Sequence, residues 1–180
     1  QQAVHFAAAG LVAGHYDIVV AGGVEAMSLI PMGAGIGKDV GFPYPPTVLK
    51  RYDVPTFNQG IGAEMMAAKW GFDRTACDAF AAQSHERLAA AVDAGRLERQ
   101  IAPVTLPDGS MLSADEGLRR GTTAESLAGL KPVFKADGVI HAGNASQISD
   151  GAAALLMMTA AKADELGLTP IARFHSGALA

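Results

Sequence analysis

Asp17-Ile-Val-Val-Ala-Gly-Gly23 is the part of the 180-residue sequence from which an α/β fold follows. A short run of β-branched residues closed by glycines suits a buried strand. Its lack of polar alternation suits a parallel strand covered on both faces. Upstream, Val4, Phe6, Ala8, Leu11 and Val12 recur at roughly helical spacing among alanines, and Gly14 fits the C-cap. Helix followed by strand is the grammar of an α/β layer. Downstream, Ala152–Met158 predicts a second buried strand, Thr159–Leu166 a helix ended by Gly167, and Pro170–Leu179 the start of another strand.

Between these parts the pattern changes. Pro31, Pro43, Pro45, Pro46 and Pro55 interrupt it, together with Gly33, Gly35, Gly37 and Gly41. This irregular excursion is too long for an ordinary connection. A helix is predicted over about Gly62–Trp70, stopping at Gly71. Asp73 then caps another helix with Cys77, Phe80, Ala81, Leu88 and Val92 along one face, ending at Gly95. Ile101–Leu106 reads as a strand before a Pro-Asp-Gly turn, and residues 115–150 read as loop. The simplest architecture places residues 1–30 and 149–168 in an α/β layer, with residues 31–148 inserted between them and a further part starting at 169–180.

Composition narrows the function classes. Hydrophobic residues make up 49%, charged residues 18%, and the net charge is −4, so intrinsic disorder is excluded. No basic run is present to collect phosphates along a nucleic acid. The single Cys excludes an internal disulfide framework and a Cys-based zinc site. No apolar stretch approaches the roughly 20 residues of a membrane span, and no signal-peptide pattern is visible. A reducing cytoplasmic setting is the default expectation. The opening QQAVHFAAAG already lies inside a helical pattern, and IARFHSGALA closes in mid-pattern. The expectation is a piece of a longer chain.

Four features invite a chemical reading. Gly33-Ala-Gly-Ile-Gly37-Lys38 resembles a phosphate loop, but Met32 and Asp39 stand where a Walker motif needs Gly and Ser or Thr, so it reads as a flexible glycine loop. Cys77 lies near a predicted helix N-terminus, which lowers a thiol pKa, yet no His adjoins it in sequence and packing is the simpler role. The histidines His5, His15, His85, His141 and His175 make no helical zinc pair, and no metal site is expected. His141, beside a Ser/Asn/Gly-rich segment, reads as a structural or hydrogen-bonding residue. Arg119-Arg120, followed by Lys131 and Lys135, forms the concentrated positive region, which on composition suits a small anionic ligand and a solvated loop equally.

The remaining motifs carry a family resemblance. Ala21-Gly-Gly-Val-Glu-Ala-Met-Ser28 resembles the A-G-G-x-E-[SA]-M-S signature of thiolases. Gly60-Ile-Gly-Ala-Glu-Met-Met-Ala67 is similar to the start of a helix in that family's loop domain, and Arg74–Ile101 to its D-x-F-A…G-[RK]-F…E-I pattern. Leu130-Lys-Pro-Val-Phe134 and Ala142-Gly-Asn-Ala-Ser146…Asp150-Gly-Ala-Ala153 match two further signatures. These occur in the family's order and spacing across essentially the whole chain.

The resemblance implies part of a layered αβαβα thiolase-like fold with an inserted loop domain. Residues 1–30 and 149–168 then belong to the N-terminal domain, 31–148 to the loop domain that embraces coenzyme A, and 169–180 to the start of the C-terminal domain. It implies reversible Claisen condensation or thiolysis of 3-oxoacyl-coenzyme A through a cysteine thioester. Coenzyme A and acyl-coenzyme A are substrates, with no tightly bound cofactor. Carried position by position, Arg119 falls near the adenosine phosphates. Ser126 and Phe134 line the adenine and pantetheine, and Ala142 and Ser146 lie beside the pantetheine arm. Asn58-Gln59 replaces the His-Met pair of many biosynthetic members, which points to a different acyl substrate and is closer to degradative forms. The nucleophilic Cys is expected upstream of Gln1, and the activating His and second Cys beyond Ala180. Catalytic residues are therefore expected in neither Cys77 nor any other position here, and the fragment alone is expected to be inactive. A homo-oligomer is the family's habit. A non-catalytic coenzyme A- or lipid-binding relative is the alternative.

Overall fold

A computed structural model describes residues 1–37, 39 and 41–178. Lys38, the end of the glycine-loop motif, and Leu179, the end of the last predicted strand, lie outside the described residues. The chain forms two compact units, Gln1–Val40 with Ile148–Ala180, and Gly41–Gln147.

The first unit holds α1 (Gln2–Val12), β1 (Ile18–Glu25), β4 (Gly151–Met158) and α6 (Ala160–Glu165). Here α1 lies on the strand pair with Ala7, Ala8 and Gly10 buried, small residues that let helix and sheet approach closely. A Schellman turn ends α1: His15 N–H reaches Gly10 O at 3.0 Å and Gly14 N–H reaches Leu11 O at 3.2 Å. It needs the positive φ of 73° that Gly14 adopts without a Cβ penalty. β1 and β4 pair antiparallel, with Ile18 opposite Met158 and Glu25 opposite Gly151. The expected parallel strand is corrected on this point. An apolar run reports burial and leaves strand direction open, and the long excursion lets the chain return in the opposite sense. Coverage of both faces is corrected as well. Ala21 is buried, but Val20 is 67% exposed and Leu156 60%. At the excursion's base, Ser28 Oγ donates to Asp150 Oδ2 at 2.5 Å and Ser28 N–H to Asp150 Oδ1 at 2.8 Å. No strand forms within 170–178, where the chain finds no neighbouring edge to pair with among the described residues.

The second unit is mostly helical: α2 (Pro46–Tyr52), α3 (Gln59–Trp70), α4 (Arg74–Asp93) and α5 (Ala124–Ala128), with a hairpin of β2 (Val104–Thr105) and β3 (Met111–Leu112). Residues 31–58 are therefore not wholly irregular. Pro46 sits in the first turn of α2, where its missing N–H costs nothing. Asn58 Oδ1 accepts from Gly60 and Ile61 N–H and starts α3. Asp73 caps α4 as expected, accepting from Ala76 N–H at 2.7 Å. α5 interrupts the expected loop 115–150 because Thr123 and Ser126 form a reciprocal capping box. The strand expected over Ile101–Leu106 shrinks to β2, closed by the Pro-Asp-Gly turn. The packed face of α4 also differs from expectation. It centres on Asp78, while Phe80 is 74% exposed and Val92 points outward.

Candidate functional site

One turn of α4 organises the second unit. Arg74 and Asp78, four residues apart on one face, join Nε to Oδ2 at 2.7 Å. Asp78 is 2% exposed, and its other oxygen meets His141 Nε2 at 2.6 Å and Asn144 Nδ2 at 3.0 Å. The Arg74 guanidinium also donates to the carbonyls of Leu127, at 2.8 Å, and Leu130, at 2.9 Å, where α5 ends. Asn144 Nδ2 reaches back to Val139 O, and Asn144 Oδ1 accepts from His141 N–H at 2.8 Å. His141 itself is fully buried. Burial alone would push the Asp78 carboxyl up. The hydrogen bonds from His141 and Arg74, with their attraction, outweigh it and hold the carboxyl below its ordinary range.

A second buried carboxylate supports the same segment. Glu64, on α3, accepts from Val139 N–H at 3.0 Å and from Ile140 N–H at 2.8 Å. A Cβ at Gly138 would overlap that carboxylate. Gly143 is equally confined, since its Cβ would meet Leu127 Cδ2 at 2.5 Å and Leu130 Cδ1 at 2.7 Å.

Of the five residues expected at the ligand, Ser126, Phe134, Ala142 and Ser146 lie on segments next to this framework, and Arg119 is joined to it by no described bond. Phe134 is half-buried with its ring filling the space a side chain at Gly60 would need. Ser126 is exposed, but its hydroxyl is engaged in the capping box, donating to Thr123 O at 2.8 Å and accepting from Thr123 N–H at 3.0 Å. Ala142 and Ser146 are exposed on either side of Gly143 and Asn144. Arg119 is exposed, with its N–H on His85 Nδ1 at 3.3 Å and its carbonyl accepting from Thr122 Oγ1 at 2.7 Å. An open groove of about 760 Å³ lies along α4, lined by Gln83, His85, Glu86, Asp93, Arg120 and Thr122 among others. None of the five expected ligand residues lines it.

The basic region divides. Arg120 is taken up by Asp93 through bonds of 2.7 and 3.1 Å, and Lys135 by Asp137 at 3.2 Å. Among the described residues, Arg119 and Lys131 make no ion pair. The lowered thiol pKa expected of Cys77 is corrected, while its packing role stands. Burial raises its thiol pKa, and the carboxylates of Asp78, Asp73 and Glu64 raise it further, against a smaller opposing pull from Arg74. The net direction is upward, away from the thiolate that attacks. Among the described residues, no group of three His, Cys, Asp or Glu side chains could hold a metal, and no helix is long and apolar enough to cross a membrane.

Residues 1–161 match the family profile described as thiolase, N-terminal domain. The chain belongs to the thiolase family. It is 43% identical over 189 aligned positions to the acetyl-CoA acetyltransferase of Chromobacterium violaceum, covering 99% of this chain and 48% of that protein. It is 38% identical to the 3-ketoacyl-CoA thiolase of Bacillus subtilis, covering 99% and 47%. The crystal structure of the dimeric peroxisomal thiolase of Saccharomyces cerevisiae superposes with a TM-score of 0.75 at 36% identity, over 93% of this chain and 42% of that one. This thiolase chain thus has a partial thiolase-like α/β fold and spans about half the length of the curated relatives it matches.

Sequence reasoning missed the node that supports these residues. Asp78 and Asn144 both lie within quoted thiolase motifs, where they count as letters of a pattern and show no partner. Glu64 likewise stands as a letter of the quoted Gly60–Ala67 motif, and Gln147 carried no signal of its own. His141 was picked out beside the Ser/Asn/Gly-rich segment, and its burial and bonds agree with the hydrogen-bonding role.

Proposed function

We propose that the protein to which this chain belongs is a thiolase-type acyl-CoA C-acyltransferase. It catalyses reversible Claisen condensation or thiolysis of 3-oxoacyl-coenzyme A through a cysteine thioester. Residues 41–147 would supply contacts to coenzyme A. The reacting cysteines and the activating His would come from outside these 180 residues. A homo-oligomer is part of the proposal. The related structure is a dimeric thiolase, and the exposed faces of β1 and β4 are apolar enough to be covered in a longer protein.

The observation that carries the reading is convergence on one framework. Ser126 precedes a carbonyl bound by Arg74. Phe134 packs on the helix that bears Glu64. Ala142 and Ser146 lie on either side of Asn144, which is bound to Asp78. A nucleotide with a long amide-bearing arm needs such a mixture: a cation for its phosphates, hydrogen-bonding groups, and apolar walls. Arg119 is the better cation, because Asp93 already neutralises Arg120.

The test is coenzyme A-dependent cleavage of a 3-oxoacyl thioester by the full-length protein. Cleavage is expected. Binding without cleavage would favour a non-catalytic coenzyme A carrier, and neither would end the proposal. Arg119→Ala should weaken coenzyme A binding by about 1–3 kcal/mol, as for loss of a charge-assisted contact. Arg120→Ala should leave it near wild type.

A further inference from the structure

The segment carrying Ala142 and Ser146 is tied down at both ends. At its start, His141 is buried against α4. At its end, Gln147 Nε2 donates to Gly117 O at 2.9 Å, in the loop leading to Arg119. Between these anchors Ala142, Ala145 and Ser146 are exposed, with Gly143 and Asn144 half-buried beneath them.

The two ring nitrogens of His141 do different work. Gly143 N–H donates to Nδ1 at 3.0 Å, so that nitrogen offers its lone pair. The ring proton therefore sits on Nε2 and is donated to Asp78 Oδ1 at 2.6 Å. Nε2 joins the residue to the node, where Arg74 and Asn144 also serve the same carboxylate. Nδ1 holds the peptide directly after Ala142. That peptide has little room to move inward, because Gly143 is packed on Leu127 and Leu130.

We infer that His141 is a positioning residue for coenzyme A: through Nδ1 it fixes the Ala142–Gly143 peptide, and with it the exposed strip that meets the ligand's arm. The inference rests on the coenzyme A reading proposed above and adds the residue that shapes the strip. It separates two roles in a single ring, stability through Nε2 and ligand geometry through Nδ1.

Two substitutions in the full-length protein divide these roles. His141→Gln keeps a nitrogen donor near the place of Nε2 and removes the acceptor at Nδ1. His141→Asn puts an acceptor near the place of Nδ1 and gives up the bond to Asp78. Coenzyme A affinity by calorimetry and the thermal midpoint are measured for both. His141→Gln should weaken coenzyme A about threefold to tenfold, as for one hydrogen bond, with the midpoint close to wild type. His141→Asn should lower the midpoint and hold affinity within about twofold, since the Gly143 bond is kept. The inference is overturned if His141→Gln binds as wild type or fails to fold. It is also overturned if affinity in both variants simply tracks stability. Failure of the wild-type protein to bind coenzyme A is a separate result: it removes the functional reading, and this inference with it, before any variant is compared.

Discussion

The two units are stabilised in contrasting ways. In the first, the buried side chains are alanines, Ala7, Ala8, Ala21 and Ala163, while Val20, Val24, Leu155 and Leu156 are exposed. Its order comes from a backbone ladder and close helix–sheet approach, and two strands alone are marginal in water. In the second, Ala67 and Leu127 are buried beside Glu64, Asp78 and His141. There the side chains are joined by directional bonds that leave no buried side-chain donor or acceptor unpartnered among the described residues. Apolar contact tolerates small shifts, whereas a hydrogen-bonded node fixes position. The candidate binding residues belong to the unit built the second way.

The contrast is most directly broken at Asp78. Asp78→Ala strands His141, Arg74 and Asn144 together and should cost about 3–5 kcal/mol of unfolding free energy in urea. A loss comparable to an ordinary surface change would mean the node is ornamental. The same carboxylate sets a pH dependence. Its folded pKa is lowered, so its stabilisation is present above the ordinary carboxylate range and is lost as pH falls through and below it. Urea midpoints measured downward from neutral pH should show that loss, and Asp78→Asn should flatten it. Next in size is Gly143→Ala, which forces a methyl against Leu127 and Leu130 and should cost about 1–3 kcal/mol by overpacking. The smallest effect belongs to the first unit. Val20→Thr in the 180-residue chain should change stability by no more than about 0.5 kcal/mol, because the face is open. A clearly larger cost in the full-length protein would show that face to be covered there.

Much of the scaffold was legible because local chemistry wrote it. Asp73 and Gly95 bound α4, Gly14 closes α1, and Pro-Asp-Gly turns the hairpin, each through its own backbone or cap. The antiparallel pairing of β1 with β4 was not legible, since Ile18-Val-Val20 is equally apolar in either direction. α2 was hidden because Pro46 was counted as a breaker when it stood at a helix start. The site was half visible. Motif letters gave positions such as Arg119 and Ser146. Nothing local could show that Asp78 faces a residue 63 positions away, or that Asp93 removes Arg120 from the pool of available charge. Phe80 misled the reading of α4, for an apolar residue marks burial only when something lies over it.

The clasp of Ser28 on Asp150 also bears on the order of folding. It closes a loop of 122 residues, whose closure from an open chain costs about 4 kcal/mol of entropy before any constant term. The ladder beside it carries the same debt, and pairings so distant in sequence form slowly. If residues 41–147 condense first through their local helices, most of that loop is already gathered and its ends need search only a short distance. The route of assembly then runs from the inserted unit outward, with the β1–β4 ladder zipping last.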